Sequence, residues 1–207
     1  MGLSNERTGG TVVYVSKGKF LVKTSDGYCE YTFLRGTLVG LHFDDKKGHE
    51  GKVFRQMLMT FSDGSNGDTF HLSLDSSNGY SRAIKAKLAS VESFDQPLEI
   101  SLTYDAETKA AGAFLNQSGH SFRQFWTKDH RPDGMPDVKS LGMVKGKQVF
   151  DFSEMESWIE SYLLKNVVPK LPAPCQVATT DHSGFDDSQE EHHAEEAPAA
   201  RNEDAPF

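Results

Sequence analysis

The sequence predicts a mainly β domain, a closed or nearly closed barrel or sandwich with two helices, followed by a disordered acidic tail. Three observations predict it. Short segments rich in β-branched and aromatic residues recur between turn signals from residue 11 to residue 126. Only two stretches carry a helical period. After Lys170 the composition changes to Pro, Ala, Ser and acids, with too few apolar residues to offset the entropy of folding. The chain therefore divides into a folded body, 1–170, and a tail, 171–207.

The strands come first. TVVYVS (11–16) and KFLVKT (19–24) are separated by Lys17-Gly18, a hairpin-sized gap. YCEYTF (28–33) follows a second turn at Ser25-Asp26-Gly27, and KVFRQMLMTF (52–61) is a longer apolar run. Asp63-Gly64-Ser65-Asn66-Gly67-Asp68 is a strong turn cluster. TFHLSLD (69–75) puts Phe70, Leu72 and Leu74 on one face, and LEISLTY (98–104) does the same with Leu98, Ile100, Leu102 and Tyr104. AGAFLNQ (111–117) and HSFRQFW (120–126) complete the set. Such spacing of short strands belongs to barrels and sandwiches.

Residues 78–89 form a short helix, with Ile84 and Leu88 at helical spacing. A second helix starts at Ser153-Glu154-Met155-Glu156, which has the form of a capping box. Met155, Trp158, Ile159, Tyr162 and Leu163 make its apolar stripe, and Pro169 stops it. Trp158 and Tyr162 belong to packing in this reading, not to a cofactor.

Charge is unevenly placed. Residues 1–170 hold 21 Lys+Arg and 21 Asp+Glu, whereas residues 171–207 hold one Arg and nine acids, so the tail carries the whole net charge of −8. An acidic overall balance therefore does not argue against a body that binds nucleic acid. No apolar run is long enough to cross a bilayer, MGLSNERTGG has no apolar signal region, and Gly2 gives only a weak myristoylation pattern. Cys29 and Cys175 make neither a metal spacing nor a disulfide framework, so a reducing cytoplasm is the expected compartment.

The last residues, Glu203-Asp204-Ala205-Pro206-Phe207, combine acids, a stiff proline and a phenylalanine whose ring and α-carboxylate lie on one residue. A partner pocket with an apolar floor and a basic rim would grip both. In this the chain resembles bacterial and bacteriophage single-stranded DNA-binding proteins, in which an OB-fold body precedes a disordered linker and an acidic tip ending in Pro-Phe. The resemblance is to a divergent, phage-type member. It implies an OB-like barrel that binds single-stranded DNA without sequence preference during replication, recombination or repair in a bacterial cell. It also implies recruitment of replication and repair proteins through Glu203, Asp204, Pro206 and Phe207. The expected protein is not an enzyme and takes no cofactor or metal.

Single-strand binding needs cations for phosphates and flat rings for bases. Candidates are Lys17 and Lys19 of the first hairpin, near Lys23, Tyr14 and Phe20; Tyr31 and Arg35, after Tyr28; Lys52, Phe54 and Arg55; Arg82, Lys85 and Lys87; and Arg123, Phe125, Trp126 and Lys128, near Arg131. Trp126 and Phe54 rank first as stacking rings because each is flanked by cations. Against this stands the ordinary rule that aromatic residues are core and lysines are solvated surface.

Other chemistry is poorly represented. His42, Asp44, Asp45, His49 and Glu50 crowd one stretch and Asp129, His130, Asp133 and Asp137 another; without ligand spacing both read as solvated loops, as do His182, His192 and His193. There is no phosphate-cradling or nucleophile-elbow motif. Glu50-Gly51-Lys52, with Asp26, has the pattern of some metal-dependent nucleases and supplies the main alternative. A β-rich virion or scaffold protein is the other.

Overall fold

The computed structural model describes residues 10–47, 51–64, 68–127, 130–144 and 147–173. Nine strands form one sheet: β1 Thr11–Ser16, β2 Lys19–Thr24, β3 Gly27–Tyr31, β4 Phe33–Lys47, β5 Val53–Ser62, β6 Thr69–Asp75, β7 Leu98–Tyr104, β8 Ala111–Gln117 and β9 His120–Ser121. Their spatial order is β3-β2-β1-β6-β5-β4-β7-β8-β9, antiparallel except for the parallel pair β1–β6. Helix α1, Gly79–Leu88, follows β6. A separate hairpin, β10 Lys139–Val144 and β11 Lys147–Asp151, precedes helix α2, Ser153–Asn166. The protein is thus mainly β with two helices.

The curl of the sheet originates in β4. Its first residues, Phe33–Gly36, pair with β7, and Thr37–Lys47 pair with β5. A register shift between Leu38 and Gly40, near the start of the β5-paired stretch, marks a bulge of the kind that bends a strand. Gly40 lets the strands close up there: a Cβ at that position would meet Thr60 Cβ at 3.2 Å. From β4 onward the chain runs strand, strand, strand, helix, strand, strand, with the first strand beside both the second and the fourth. The same order of elements occurs in OB-like barrels, although this sheet is not closed into one. The β1–β3 meander extends it beyond β6.

The sheet is not closed by hydrogen bonds, since β3 and β9 stand at opposite ends of the strand order. Its ends nevertheless approach. The β1–β2 turn reaches β7 and α1: Gly18, at φ +76°, has no room for a side chain beside Tyr104, and its N–H donates to Tyr80 Oη at 2.8 Å. The enclosed core holds Val13, Phe20, Leu38, Leu41, Met57, Met59, Phe61 and Leu72 from the curled sheet, with Ile84 and Leu88 of α1 and Ile159 and Leu163 of α2.

Several elements differ from the sequence reading. Residues 120–126 hold only the two-residue β9, and Phe125 N–H instead donates to Ala86 O of α1. His42, Asp44 and Asp45 lie in β4, not in a loop. Tyr104 is 37% exposed at the end of β7, though Leu98 and Ile100 are fully buried. The capping box does not form. Ser153 lies inside α2, its N–H is taken by Asp151 Oδ1 at 2.9 Å, and the Glu156 carboxylate is occupied by Arg82 and Lys85. Helix α1 behaves as expected, with Asn78 Oδ1 accepting from Ser81 N–H at 2.8 Å. Helix α2 ends at Asn166, and Pro169 sits in the 3₁₀ turn Val168–Lys170. Trp158 and Tyr162 stack on each other, with Trp158 against the core. The packed chain continues past Lys170, because Leu171 also rests on the core. Among the described residues no helix is long and apolar enough to cross a membrane.

Candidate nucleic-acid interface

Alternation along the strands sorts the sheet into two faces. In β5, Met57, Met59 and Phe61 point into the core, so Phe54, Gln56, Leu58 and Thr60 face out. In β1 and β2, Val13 and Phe20 point in, leaving Val12, Tyr14, Lys19, Leu21 and Lys23 outside. Cross-strand register extends the outer face to Tyr28 and Glu30 of β3 and to His42, Asp44 and Lys46 of β4.

Three rings on this face are open to solvent: Tyr14 at 44%, Tyr28 at 60% and Phe54 at 38%. Two of them have a lysine directly opposite across the ladder, Tyr28 with Lys23 and Phe54 with Lys46. Directly opposed residues bring their Cβ atoms to about 5 Å, so each pair offers a flat surface and a cation side by side. Lys52 stands exposed just before Phe54, and Lys17 and Lys19 flank the β1–β2 turn. Between the pairs the floor mixes polar and apolar groups: Thr60 Oγ1 and His71 Nδ1 are 3.2 Å apart and Gln56 bonds Ser73, beside Val12, Leu21 and Leu58. Glu30 and Asp44 share the face, so its positive character is local to the rings.

Tyr31 and Arg35 lie elsewhere, at the seam where the β1–β3 meander meets the start of β4. They border a cleft of about 410 Å³ with Phe33, Phe70, Thr11 and Asp63. Tyr31 is 50% and Phe33 56% exposed.

Most of the remaining candidates have partners within the fold. Lys85 is fully buried; its ammonium donates to Ser76 O at 2.9 Å and Ser76 Oγ at 3.1 Å and pairs with Glu156. This corrects its assignment as a phosphate ligand, since no strand reaches it. Arg55 bridges Glu160 at 3.0 Å and Asp45 at 3.2 Å, contacts that hold its pKa above the ordinary value. Arg82 pairs with Glu156 at 2.7 Å and lies over the Phe152 ring. Lys87 donates to Ala113 O and sits 5.1 Å from the centre of Phe114; desolvation lowers its pKa. Trp126 is half-buried against the core, and Phe125 packs on Trp126 and Tyr162. These two rings tie the segment before β10 to α2. Arg123 is exposed beside them.

Lys128 and the tip residues Glu203, Asp204, Pro206 and Phe207 lie outside the described residues, as does Glu50. Asp26 sits in the β2–β3 turn and Lys52 at the start of β5. The strand directions put them at opposite ends of the sheet, with β1 and β6 between. The E-x-K arrangement thus does not gain Asp26 as a second carboxylate.

Of the residues on the outer face and at the cleft, the sequence reading singled out neither Phe33 nor Lys46, and named Tyr14, Lys23 and Tyr28 only as neighbours of candidates. Tyr14 has a legible signal, since it alternates out of phase with buried Val13; β3 is exposed throughout and gives Tyr28 no such signal, and Lys46 and Phe33 belong to β4, whose pattern is broken. Compared with family models, curated proteins and solved structures, the chain matches none.

Proposed function

We propose that the protein binds single-stranded DNA without sequence preference, protecting it during replication or recombination and recruiting partner proteins through its acidic C-terminal segment. The observation that carries the first part is the pairing of exposed rings with lysines across the outer face, Tyr28 with Lys23 and Phe54 with Lys46. A duplex hides its base faces in the stack, whereas a single strand presents them to rings while its phosphates meet the lysines. The second part rests on the resemblance of Glu203, Asp204, Pro206 and Phe207 to the docking tip of single-stranded DNA-binding proteins.

An electrophoretic shift with single- and double-stranded oligonucleotides, with and without Mg²⁺, tests the reading. The expected result is a shift of the single strand alone, with the strand intact. Cutting in Mg²⁺ would move the protein to the nuclease class, and no shift at all would leave a structural role.

A further inference from the structure

The seam cleft lies apart from the Lys–aromatic pairs of the outer face. Its walls include Tyr31 from the end of β3, Phe33 from the start of β4 and Phe70 from β6, over a base of Val13, Phe20 and Leu34. Tyr31 and Phe33 expose half or more of their surface, although the core lies directly beneath. Among the described residues, none of the three rings stacks on another ring. Tyr31 and Phe33 therefore keep exposed ring surface for a planar guest, while Phe70 packs against the core. Arg35 stands at the rim. Arg55, Arg82 and Arg131 are each held by a carboxylate, but Arg35 has no ion pair or side-chain hydrogen bond among the described residues. Asp63 also borders the cleft, but most of the lining is apolar, so its attraction is chiefly apolar.

We infer that the seam cleft receives one unstacked nucleobase of the bound strand, against Tyr31 and Phe33, with Arg35 on the adjoining phosphate. The inference rests on the single-strand reading above. A nucleobase fits because it is planar and apolar on its faces and carries an anion a short distance from the ring. An aliphatic guest would leave Arg35 unused, and a free anion would leave the rings unused. The β3 strand links the two regions, with Tyr28 on the outer face and Tyr31 at the cleft, so one strand crossing the β3 edge engages both. Contact here depends on stacking more than on counterion release, so it persists at salt concentrations that weaken the outer-face contacts.

The test uses the full chain and a homothymidine oligonucleotide with a single 5-iodouracil, irradiated and mapped by mass spectrometry. The expected cross-links fall on the peptide containing Tyr31 and Phe33 and persist at high salt. Phe33→Ala should remove them and weaken strand binding by about five- to a hundredfold. Phe33 is exposed, so this change leaves the core intact, and Phe33→Trp should restore both. Cross-links confined to Tyr14, Tyr28 and Phe54, with unchanged affinity for Phe33→Ala, would overturn the inference and leave the single-strand reading standing. A concentration-dependent dimer abolished by Phe33→Ala would give the cleft to a second copy and also overturn it. Cross-links that appear only after residues 174–207 are removed would give it to the chain's own tail, with the same consequence. Failure to bind the strand at all would bring down both readings.

Discussion

Phe54 and Trp126 look alike in the sequence, each an aromatic residue among cations, yet their environments differ. Phe54 stands on the outer face opposite Lys46, whereas Trp126 is half-buried against the core and edge-on to Phe125. Phe54→Ala should weaken single-strand binding by about 1–3 kcal/mol with little effect on stability. Trp126→Ala should destabilise the fold by about 2 kcal/mol, half the loss of a fully buried aromatic, and leave affinity of the folded protein nearly unchanged. Paired denaturation and binding titrations distinguish these outcomes; the reverse assignment would exchange the two roles. Lys85 gives a third case. Lys85→Met keeps the buried stem but removes one donor from Ser76 and one from Glu156, which retain Ser81 and Arg82. It should cost about 3 kcal/mol in urea denaturation. A selective loss of DNA affinity without loss of stability would contradict its structural role.

At the scale of elements, the start of α2 depends on Asp151. Hydrogen bonding from the Ser153 backbone N–H holds its carboxyl below the usual carboxylate range, with a smaller contribution from the Ser153 side chain. A lowered folded pKa means that the charged form is favoured by folding. The resulting stability is present above the unfolded pKa and lost as pH falls through the folded one. Asp151→Asn should therefore be less stable than the native chain at neutral pH, and the difference should close in acid. Denaturation at both pH values checks this; a gap independent of pH would remove the charge from the account. The elements themselves were unequally legible. β6 and β7 are readable because they alternate cleanly, and β1, β2 and β8 because short runs containing β-branched or aromatic residues stand between turn residues. β4 is not, because the shift between Leu38 and Gly40 changes the phase of its alternation and puts Leu41 and Phe43 out of step with Leu34 and Leu38. β10 and β11 carry no regular alternation and bury little. For the site, the sequence supplied the types of residue but not their faces: Lys85 and Lys87 lie two apart on α1, yet only Lys85 is fully buried.

At the scale of the molecule, a neutral body is joined to a segment with all the net negative charge. We propose that these acids, carried on the same chain as the lysines, compete with DNA for them. Removing residues 174–207, which spares Leu171 on the core, should raise single-strand affinity severalfold at low salt. The gain should shrink as salt screens the charges. Weaker binding by the truncated protein at low salt would instead place the segment in the DNA site.

The central claim is that lysines and rings on one curved face hold a single strand. The most direct measurement is a fluorescence-anisotropy titration of the full chain against a homothymidine oligonucleotide and a duplex of equal length over a series of salt concentrations. The account predicts preference for the single strand, with a log–log salt slope of about −0.7 for each phosphate neutralised. It also predicts that joint replacement of Lys23 and Lys46 by Ala makes the slope shallower. Equal affinity for the duplex, or binding to the single strand that stays flat with salt, would contradict it.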